Sequence, residues 1–332
     1  KNKKFLIYGF GISGKSSFNY LKKKNCLIKI YDDKFNIKKI SEKYLIRKKE
    51  IEKEKFDYIV ISPGINLNKC SISNYLKKNR KKIINELDLF YQEYKFNKKI
   101  TVTGTNGKST TVKLIHDILK YFKKDVRLLG NIGKSLLNEE NVNKKTIFVI
   151  EASSYQIDYS KTFVSDIAII LNISHDHLER HKTFKNYANI KFKLVKKQNS
   201  KGIAILNTQS KIIKKLLKKN KINSKIIKID QKNDVELLSK IKNDVFKNNN
   251  NLLNLQFVFE VVKIFKLNKN KFIDVLNKFK NLPFRQQILF NNKNLMIMND
   301  SKSTSFSSST GILKSFNNIY WIVGGLAKKG DK

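Results

Sequence analysis

Three stretches of this 332-residue chain carry the glycines and lysines that grip a phosphate. Gly9-Phe10-Gly11-Ile12-Ser13-Gly14-Lys15-Ser16 satisfies both G-x-x-x-x-G-K-[ST] and G-x-G-x-x-G, and Asp32 follows near the distance expected of a ribose-binding acid. Thr103-Gly104-Thr105-Asn106-Gly107-Lys108-Ser109-Thr110 misses the literal first pattern, because position 102 is Val, yet its chemistry is complete. Glycines let backbone N–H groups approach phosphate oxygens, and the following helix adds its positive end. Lys108 is placed to reach β- and γ-phosphates, and Ser109 to ligate Mg²⁺. The third stretch, Gly130-Asn131-Ile132-Gly133-Lys134-Ser135, has no convincing strand before it and no long helix after it. The plain alternative for any one such loop is a tight strand-to-helix turn.

Metal chemistry downstream favours the second loop. Glu151 ends the apolar run Val149-Ile150, where a Mg²⁺-ligating acid sits relative to a phosphate loop. His175, Asp176, His177, Glu179 and His181 follow within seven residues. No cysteine and no helical H-E-x-x-H accompanies them, which argues against a zinc protease and for Mg²⁺ beside ATP. An acid at a helix start and a solvated polar loop are the alternatives.

Hydrophobic patterning supplies the elements that hold these residues. Apolar runs at Lys3–Tyr8, Leu27–Tyr31 and Tyr58–Ile61 alternate with helical spacing at Ser16–Lys24, and Ser62-Pro63-Gly64 ends the third run in a turn. This βαβ order predicts an α/β fold with parallel, doubly wound sheets. Further strands are expected at Ile100–Thr103, Thr146–Ile150, Ile167–Leu171, Gly202–Leu206, Leu295–Met298 and Ile319–Val323. Helices are expected at Lys108–Phe122, Phe184–Lys197 and Leu252–Phe265. The Lys/Asn-rich stretch 207–250 reads either as an α/β segment or as an insertion. Units are expected at 1–98, 99–282 and 283–332. The last reads either as a minimal unit or as the start of a longer one.

The net charge of +42 invites a nucleic-acid reading. Only Arg47, Arg80, Arg127, Arg180 and Arg285 are arginines, and Asn, Ile, Phe and Tyr are abundant beside the lysines. These are the residues of AT-rich codons, and the lysines are spread along the chain, so no nucleic-acid partner is expected. No apolar run is long enough to span a bilayer, and no signal region precedes a cleavage site. Cys26 and Cys70 offer neither metal spacing nor a disulfide framework, which fits a reducing cytoplasm.

Taken together, the motifs resemble the Mur ligase family. Its loop T-G-T-N-G-K-S/T matches Thr103–Ser109, Gly130-Asn131-Ile132-Gly133 matches a family segment, and Glu151 through Gln156 matches E-x-S-S-x-Q. Asn172 to Arg180 is similar to N-x-x-x-D-H-L/M-D/E-R. Tyr187-Ala188-Asn189-Ile190-Lys191 resembles the segment carrying a carbamylated lysine, and Asn251 and Asn254 fit N-x-x-N. Leu282-Pro283-Phe284-Arg285 and Asn299-Asp300-Ser301-Lys302 resemble the start of the third domain. The chain departs from the pattern at Phe284, Ser305 and Asn250. The glycine fingerprint near residue 9 and the Ser62-Pro63-Gly64-Ile65 turn resemble the branch that adds D-glutamate to UDP-N-acetylmuramoyl-L-alanine.

That resemblance implies a monomeric bacterial ligase of peptidoglycan synthesis using ATP and Mg²⁺. Lys108, Glu151, His177 and Lys191 would be catalytic. Ser109, Glu151, His177 and Lys191, the last as a carbamate, would hold metal. Gly104, Thr105, Asn106, Gly107, Thr110, Asn251, Asn254, Arg285 and Asp300 would join Lys108 and Ser109 around ATP. Gly11, Ile12, Ser13, Gly14, Asp32, Asp33, Lys34, Ser62, Pro63, Gly64 and Asn131 would bind the UDP substrate. Lys302, Thr304 and Lys328, with Lys329 as the alternative register, would contact phosphate or D-glutamate. An inactive nucleotide-binding remnant and another branch of the family are the competing expectations.

Overall fold

The computed structural model describes residues 3–34, 40–230, 239–246, 249–303 and 306–325. The first unit runs β1 (Lys4–Tyr8), α1 (Ile12–Lys23), β2 (Leu27–Tyr31), α2 (Lys48–Ile51), β3 (Tyr58–Ile61), α3 (Ser73–Lys78), β4 (Ile83–Ile84) and α4 (Glu86–Glu93). Its strands pair in parallel in the order β2-β1-β3-β4. Alternate residues feed two cores: Leu6, Tyr8, Ile59 and Ile61 on one face, Phe5, Ile7 and Val60 on the other. Burial on both faces explains why these strands read as continuous apolar runs.

The second unit contains β5 (Lys98–Thr103), α5 (Lys108–Tyr121), β6 (Val126–Gly130), β7 (Ile147–Glu151), α6 (Ser154–Tyr159), β8 (Ile167–Ile170), α7 (Leu178–His181), α8 (Phe184–Lys196), β9 (Ile203–Asn207), α9 (Lys211–Lys219) and β10 (Lys225–Ile229). α10 (Asn249–Ile264) and α11 (Lys269–Lys278) complete it. The sheet is parallel, in the order β10-β9-β8-β5-β7-β6. Helices α5, α10 and α11 cover one face, where Ile100, Val149, Ile169 and Ile205 point. Helices α4 and α8 cover the other, over Phe148, Ile150, Ala168 and Leu206. β5 lies centrally, with β7 on one side and β8 on the other. Successive connections leave β5 in opposite directions, so its C-terminal end opens into the crevice where doubly wound sheets bind ligands.

Three expectations change. A strand, β6, does precede the third glycine loop, paired with β7. Arg127 interrupts its apolar run, which hid it; no helix follows before Ser154. The stretch 207–250, open between two readings, supplies α9 and β10 where it is described, while 231–238 and 247–248 lie outside the described residues. Ile319–Val323 is not a strand: no edge pairs with it, and Tyr320 and Ile322 are 99% and 98% exposed. The third unit's paired strands, β11 (Gln287–Asn291) and β12 (Met296–Asn299), form an antiparallel hairpin before α12 (Phe306–Leu313).

Candidate functional site

At the end of β5 the chain turns through residues 104–107 into α5. Gly107 holds φ +83° at the helix N-terminus, and a Cβ there would lie 2.5 Å from Asn254 Nδ2. Only glycine suits both the backbone and the space. Asn172, two residues past β8, clamps the loop. Its Oδ1 accepts from Thr105 N (3.1 Å) and Asn106 N (2.9 Å), and its Nδ2 donates to Asn106 O (3.0 Å). Thr105 Oγ1 accepts from Ser174 N at 3.0 Å and lies 3.2 Å from Tyr187 OH. The amides of Thr105 and Asn106 are therefore committed to the protein, which leaves the N–H groups at the start of α5 to face a ligand. Asn172→Ala removes three hydrogen bonds, each worth about 1 kcal/mol. It should weaken nucleotide binding roughly tenfold to a hundredfold, with UDP-sugar affinity unchanged, in a fluorescent-nucleotide titration.

Two lysines converge on one carbonyl. Lys108 Nζ donates to Gly104 O (2.9 Å) and Thr105 O (2.8 Å). Lys191 Nζ, from α8, donates to the same Gly104 O (2.8 Å) and to Thr103 Oγ1 (3.3 Å). Lys191 is 1% exposed and stands over the Tyr187 ring. Burial, then the charge of Lys108, holds the Lys191 amine well below the usual lysine range, against the smaller opposing pull of Asp176 and Glu151. Burial also lowers the Lys108 pKa, partly offset by Glu151 and reinforced by Arg285.

Glu151, at the end of β7, is fully buried. Its Oε1 accepts from Asn131 Nδ2 at 3.0 Å, while Oε2 has no hydrogen-bond partner among the described residues. An unsatisfied buried carboxylate oxygen is costly unless a cation or donor completes it. Gly130 packs so closely that a Cβ would lie 2.3 Å from Glu151 O, and Asn131 N donates to that oxygen at 3.1 Å. The third glycine loop therefore braces Glu151, and Asn131, expected against substrate, is seated on this carboxylate. Among the described residues no three His, Cys, Asp or Glu side chains converge as a metal cluster. A divalent ion here would draw its remaining oxygens from Ser109, which is 1% exposed on the first turn of α5, from phosphate, and from a modified Lys191. The orphaned Glu151 oxygen fits that chemistry.

The histidine cluster divides into separate tasks. His177 adopts φ +55° at the start of α7, with Nε2 3.4 Å from Asp176 Oδ2 and Nδ1 3.6 Å from Glu179 Oε1. His175 stacks on Phe184. His181 is buried, its Nε2 3.0 Å from Ser154 Oγ, and burial pushes its pKa down to about 4. The folded protein therefore resists a proton that the unfolded chain takes up below about pH 6.5. This contribution is whole above pH 6.5 and is lost as pH falls toward 4, roughly 3 kcal/mol in all. His181→Asn should flatten that part of the stability profile, measured by urea unfolding between pH 7 and 4.5.

In the first unit, Gly9 holds φ +88°, and a Cβ on Gly14 would lie 2.0 Å from Gly9 O, so only glycine fits at that place in the first turn of α1. Gly11 and Ile12 are exposed and Ser13 half-buried at that helix start. Ser62 Oγ donates to Gly9 O at 2.7 Å, tying the loop to the Ser62-Pro63-Gly64 turn. Asp32 accepts from Phe10 N (2.7 Å) and Lys34 N (2.9 Å). Asp33 accepts from Tyr8 OH (2.6 Å) and Ser71 Oγ. Ser71 also lines a cavity of about 800 Å³ with Arg47, Lys48 and Cys70. Sequence reasoning missed these lining residues, which lie on separate elements without a motif.

In the third unit, Asp300 accepts from Gln286 N (3.1 Å) and Ser303 Oγ (2.5 Å). Asn251 donates to Gln286 Oε1 at 3.0 Å, and Thr110 to Asn281 Oδ1 at 3.1 Å, which ties the loop's helix to the segment after α11. The charge of Arg285 helps lower the pKa of Lys108. Lys302 is exposed. Thr304, Lys328 and Lys329 lie outside the described residues.

The comparisons with known proteins agree with this layout. A family model described as the Mur ligase middle domain matches residues 102–274, and one described as the MurD-like N-terminal domain of Mur ligases matches residues 3–84. The chain belongs to the Mur ligase family. It is 33% identical to the UDP-N-acetylmuramoylalanine–D-glutamate ligase of Rickettsia bellii, over 98% of this chain and 77% of that protein. It is 32% identical to the ligase of the same name from Francisella philomiragia, over 100% of this chain and 77% of that protein. Among solved structures, the Mur ligase fold is shared with MurF of Thermotoga maritima in complex with ADP, at TM-score 0.56 and 16% identity, covering 95% of this chain and 71% of that one. No described helix of this Mur ligase chain is long and apolar enough to cross a membrane.

Proposed function

We propose that the chain catalyses ATP-dependent joining of D-glutamate to UDP-N-acetylmuramoyl-L-alanine through an acyl phosphate, a step of peptidoglycan synthesis. The observation that carries this is the convergence of Lys108 and Lys191 on Gly104 O, with the buried charge of Glu151, one of whose oxygens has no hydrogen-bond partner among the described residues, acting on both lysines. An inactive remnant is not favoured, because the loop, the acid and the buried lysine all remain.

The alanine carboxylate attacks the γ-phosphorus of ATP, the bond from that phosphorus to the β-γ bridging oxygen breaks, and ADP leaves with its electrons. The D-glutamate amine then attacks the acyl carbon, inorganic phosphate leaves, and the amine loses a proton. Catalysis here is positioning and charge stabilisation. Lys108 neutralises β- and γ-oxygens, and the N–H groups at the start of α5 cradle them. Ser109 and Glu151 would hold one Mg²⁺ and His177 a second, and the ions would supply neutralisation of phosphate charge. Lys191, kept neutral by burial, reacts with CO₂ and releases a proton, becoming a carbamate that presents an anion where an ammonium would be repelled. Asn254 and Asn251 shape the nucleotide side, with Arg285 and Asp300 from the third unit. The loop 9–14, Asp32 and the Ser71–Arg47 cavity take the UDP moiety. Lys302, Thr304 and Lys328 serve phosphate or D-glutamate, and the chain acts as a cytoplasmic monomer.

Incubation with ATP, Mg²⁺, the UDP substrate and an equimolar mixture of amino acids tests this by mass spectrometry. The expected product carries D-glutamate alone. Preferential addition of L-alanine or a diamino acid would assign the chain to another branch.

A further inference from the structure

Arg180 closes the quoted His-Asp-His segment, and no role above uses it. Its guanidinium lies near the rings of Tyr155 and Tyr159, 5.3 and 5.4 Å from their centroids. It donates to Tyr159 OH, to Ile65 O, and at 3.4 Å to Pro63 O. Tyr159 OH also donates to Ile65 O at 2.7 Å. The tyrosine, from α6 of the second unit, is buried in the core of the first, against Tyr8, Ile61 and Ile72. Two carbonyls of the turn after β3 are thus held by a cation and a phenol of the other unit.

The position of this joint matters more than its strength. Ile65 is three residues from Ser62, whose hydroxyl holds the glycine loop at Gly9 O. Arg180 is three residues from His177 on the same short helix. A second joint, where Asp88 accepts from Ser160 Oγ, Lys161 N and Thr162 N at 2.7–2.9 Å, also links the units, but it involves neither ligand loop. Among the described residues, the Arg180 joint is the one that runs from the Gly9–Ser62 crevice to the His177 segment. Resting on the function proposed above, the attacking carboxylate comes from one unit and the γ-phosphate from the other. A misplacement of about 1 Å between such partners can cost on the order of a hundredfold in rate.

We infer that Arg180, with Tyr159, is a positioning residue that sets the register of the substrate unit on the ATP unit and so aligns the carboxylate with the γ-phosphorus. All three contacts come from the terminal Nη2, one bond beyond the point a lysine Nζ reaches, and the planar group also lies against two rings, so a lysine ammonium reproduces neither. In Arg180→Ala and Arg180→Lys, affinities for a fluorescent ATP analogue and for the UDP substrate should stay within about threefold of the unsubstituted chain. Single-turnover acyl-phosphate formation, trapped by borohydride, should fall about a hundredfold in Arg180→Ala. Lysine should restore less than a tenth of the lost rate, and added guanidinium ion should rescue Arg180→Ala but not Arg180→Lys. Tyr159→Phe should show a smaller loss with the same split between binding and turnover. Hydrogen exchange should rise at residues 62–66 in Arg180→Ala and stay unchanged in β5 and β7. An unimpaired trapping rate in Arg180→Ala would overturn the inference, and so would loss of ATP binding itself, which would place Arg180 inside the nucleotide site. If the unsubstituted chain bound both ligands yet trapped no acyl phosphate, the proposed function would fail, whatever Arg180 does.

Discussion

Lys108→Ala should abolish ATP-dependent turnover, with a loss on the order of a thousandfold, as for removal of a preorganised group that stabilises developing charge. Lys15→Ala, in the stretch that matches the literal phosphate-loop pattern, should leave ATP affinity intact and raise the KM for the UDP substrate. The structural reason is the company each lysine keeps. Lys108 donates into its own loop, beside Lys191 and within reach of the charges of Glu151, Asp176 and Arg285. Lys15 is exposed on α1, in a unit whose acids Asp32 and Asp33 are engaged with Phe10 N, Lys34 N, Tyr8 and Ser71. Nucleotide titration and steady-state kinetics on both variants check this. Loss of ATP binding in Lys15→Ala with retention in Lys108→Ala would reverse the assignment of the two loops.

Lys191→Ala should lose on the order of a hundredfold or more in rate. Short carboxylates such as acetate should restore part of it by occupying the vacated anionic position. Removing CO₂ and bicarbonate should slow the unsubstituted enzyme and leave Lys191→Ala unchanged. The direction follows from the amine itself. Burial and Lys108 hold the lysine neutral, so it can be carbamylated, and acid that protonates it drives CO₂ off. Activity should therefore fall as pH is lowered, and added bicarbonate should move that limb toward lower pH. A Lys191→Ala enzyme with full rate in CO₂-depleted buffer would exclude the carbamate.

The site's parts were legible in the sequence where chemistry and strand ends coincide. Glu151 is marked by the apolar run of β7 stopping at a polar residue, and Gly104–Ser109 by its glycine motif directly after β5. What was not legible is how loops serve one another. Gly130–Ser135 looked like a failed phosphate loop, yet its glycine allows the approach to Glu151 O and its Asn131 holds the carboxylate. Asn172 marked a motif but not its function, because clamping Thr105 and Asn106 requires β8 to lie beside β5. The antiparallel β11–β12 hairpin and the unpaired Ile319–Val323 show the same limit from the other side. Apolar alternation marks a segment able to be a strand, but pairing depends on an edge that the segment does not encode. The cavity at Arg47, Lys48 and Ser71 comes from elements brought together only by the fold.

The most direct test of the central claim labels the carboxylate of UDP-N-acetylmuramoyl-L-alanine with ¹⁸O and follows the label through one round with ATP and D-glutamate. Attack of that carboxylate on the γ-phosphorus predicts one ¹⁸O in each inorganic phosphate released, in step with ADP and amide. Unlabelled phosphate, or label appearing in AMP, would contradict activation through an acyl phosphate.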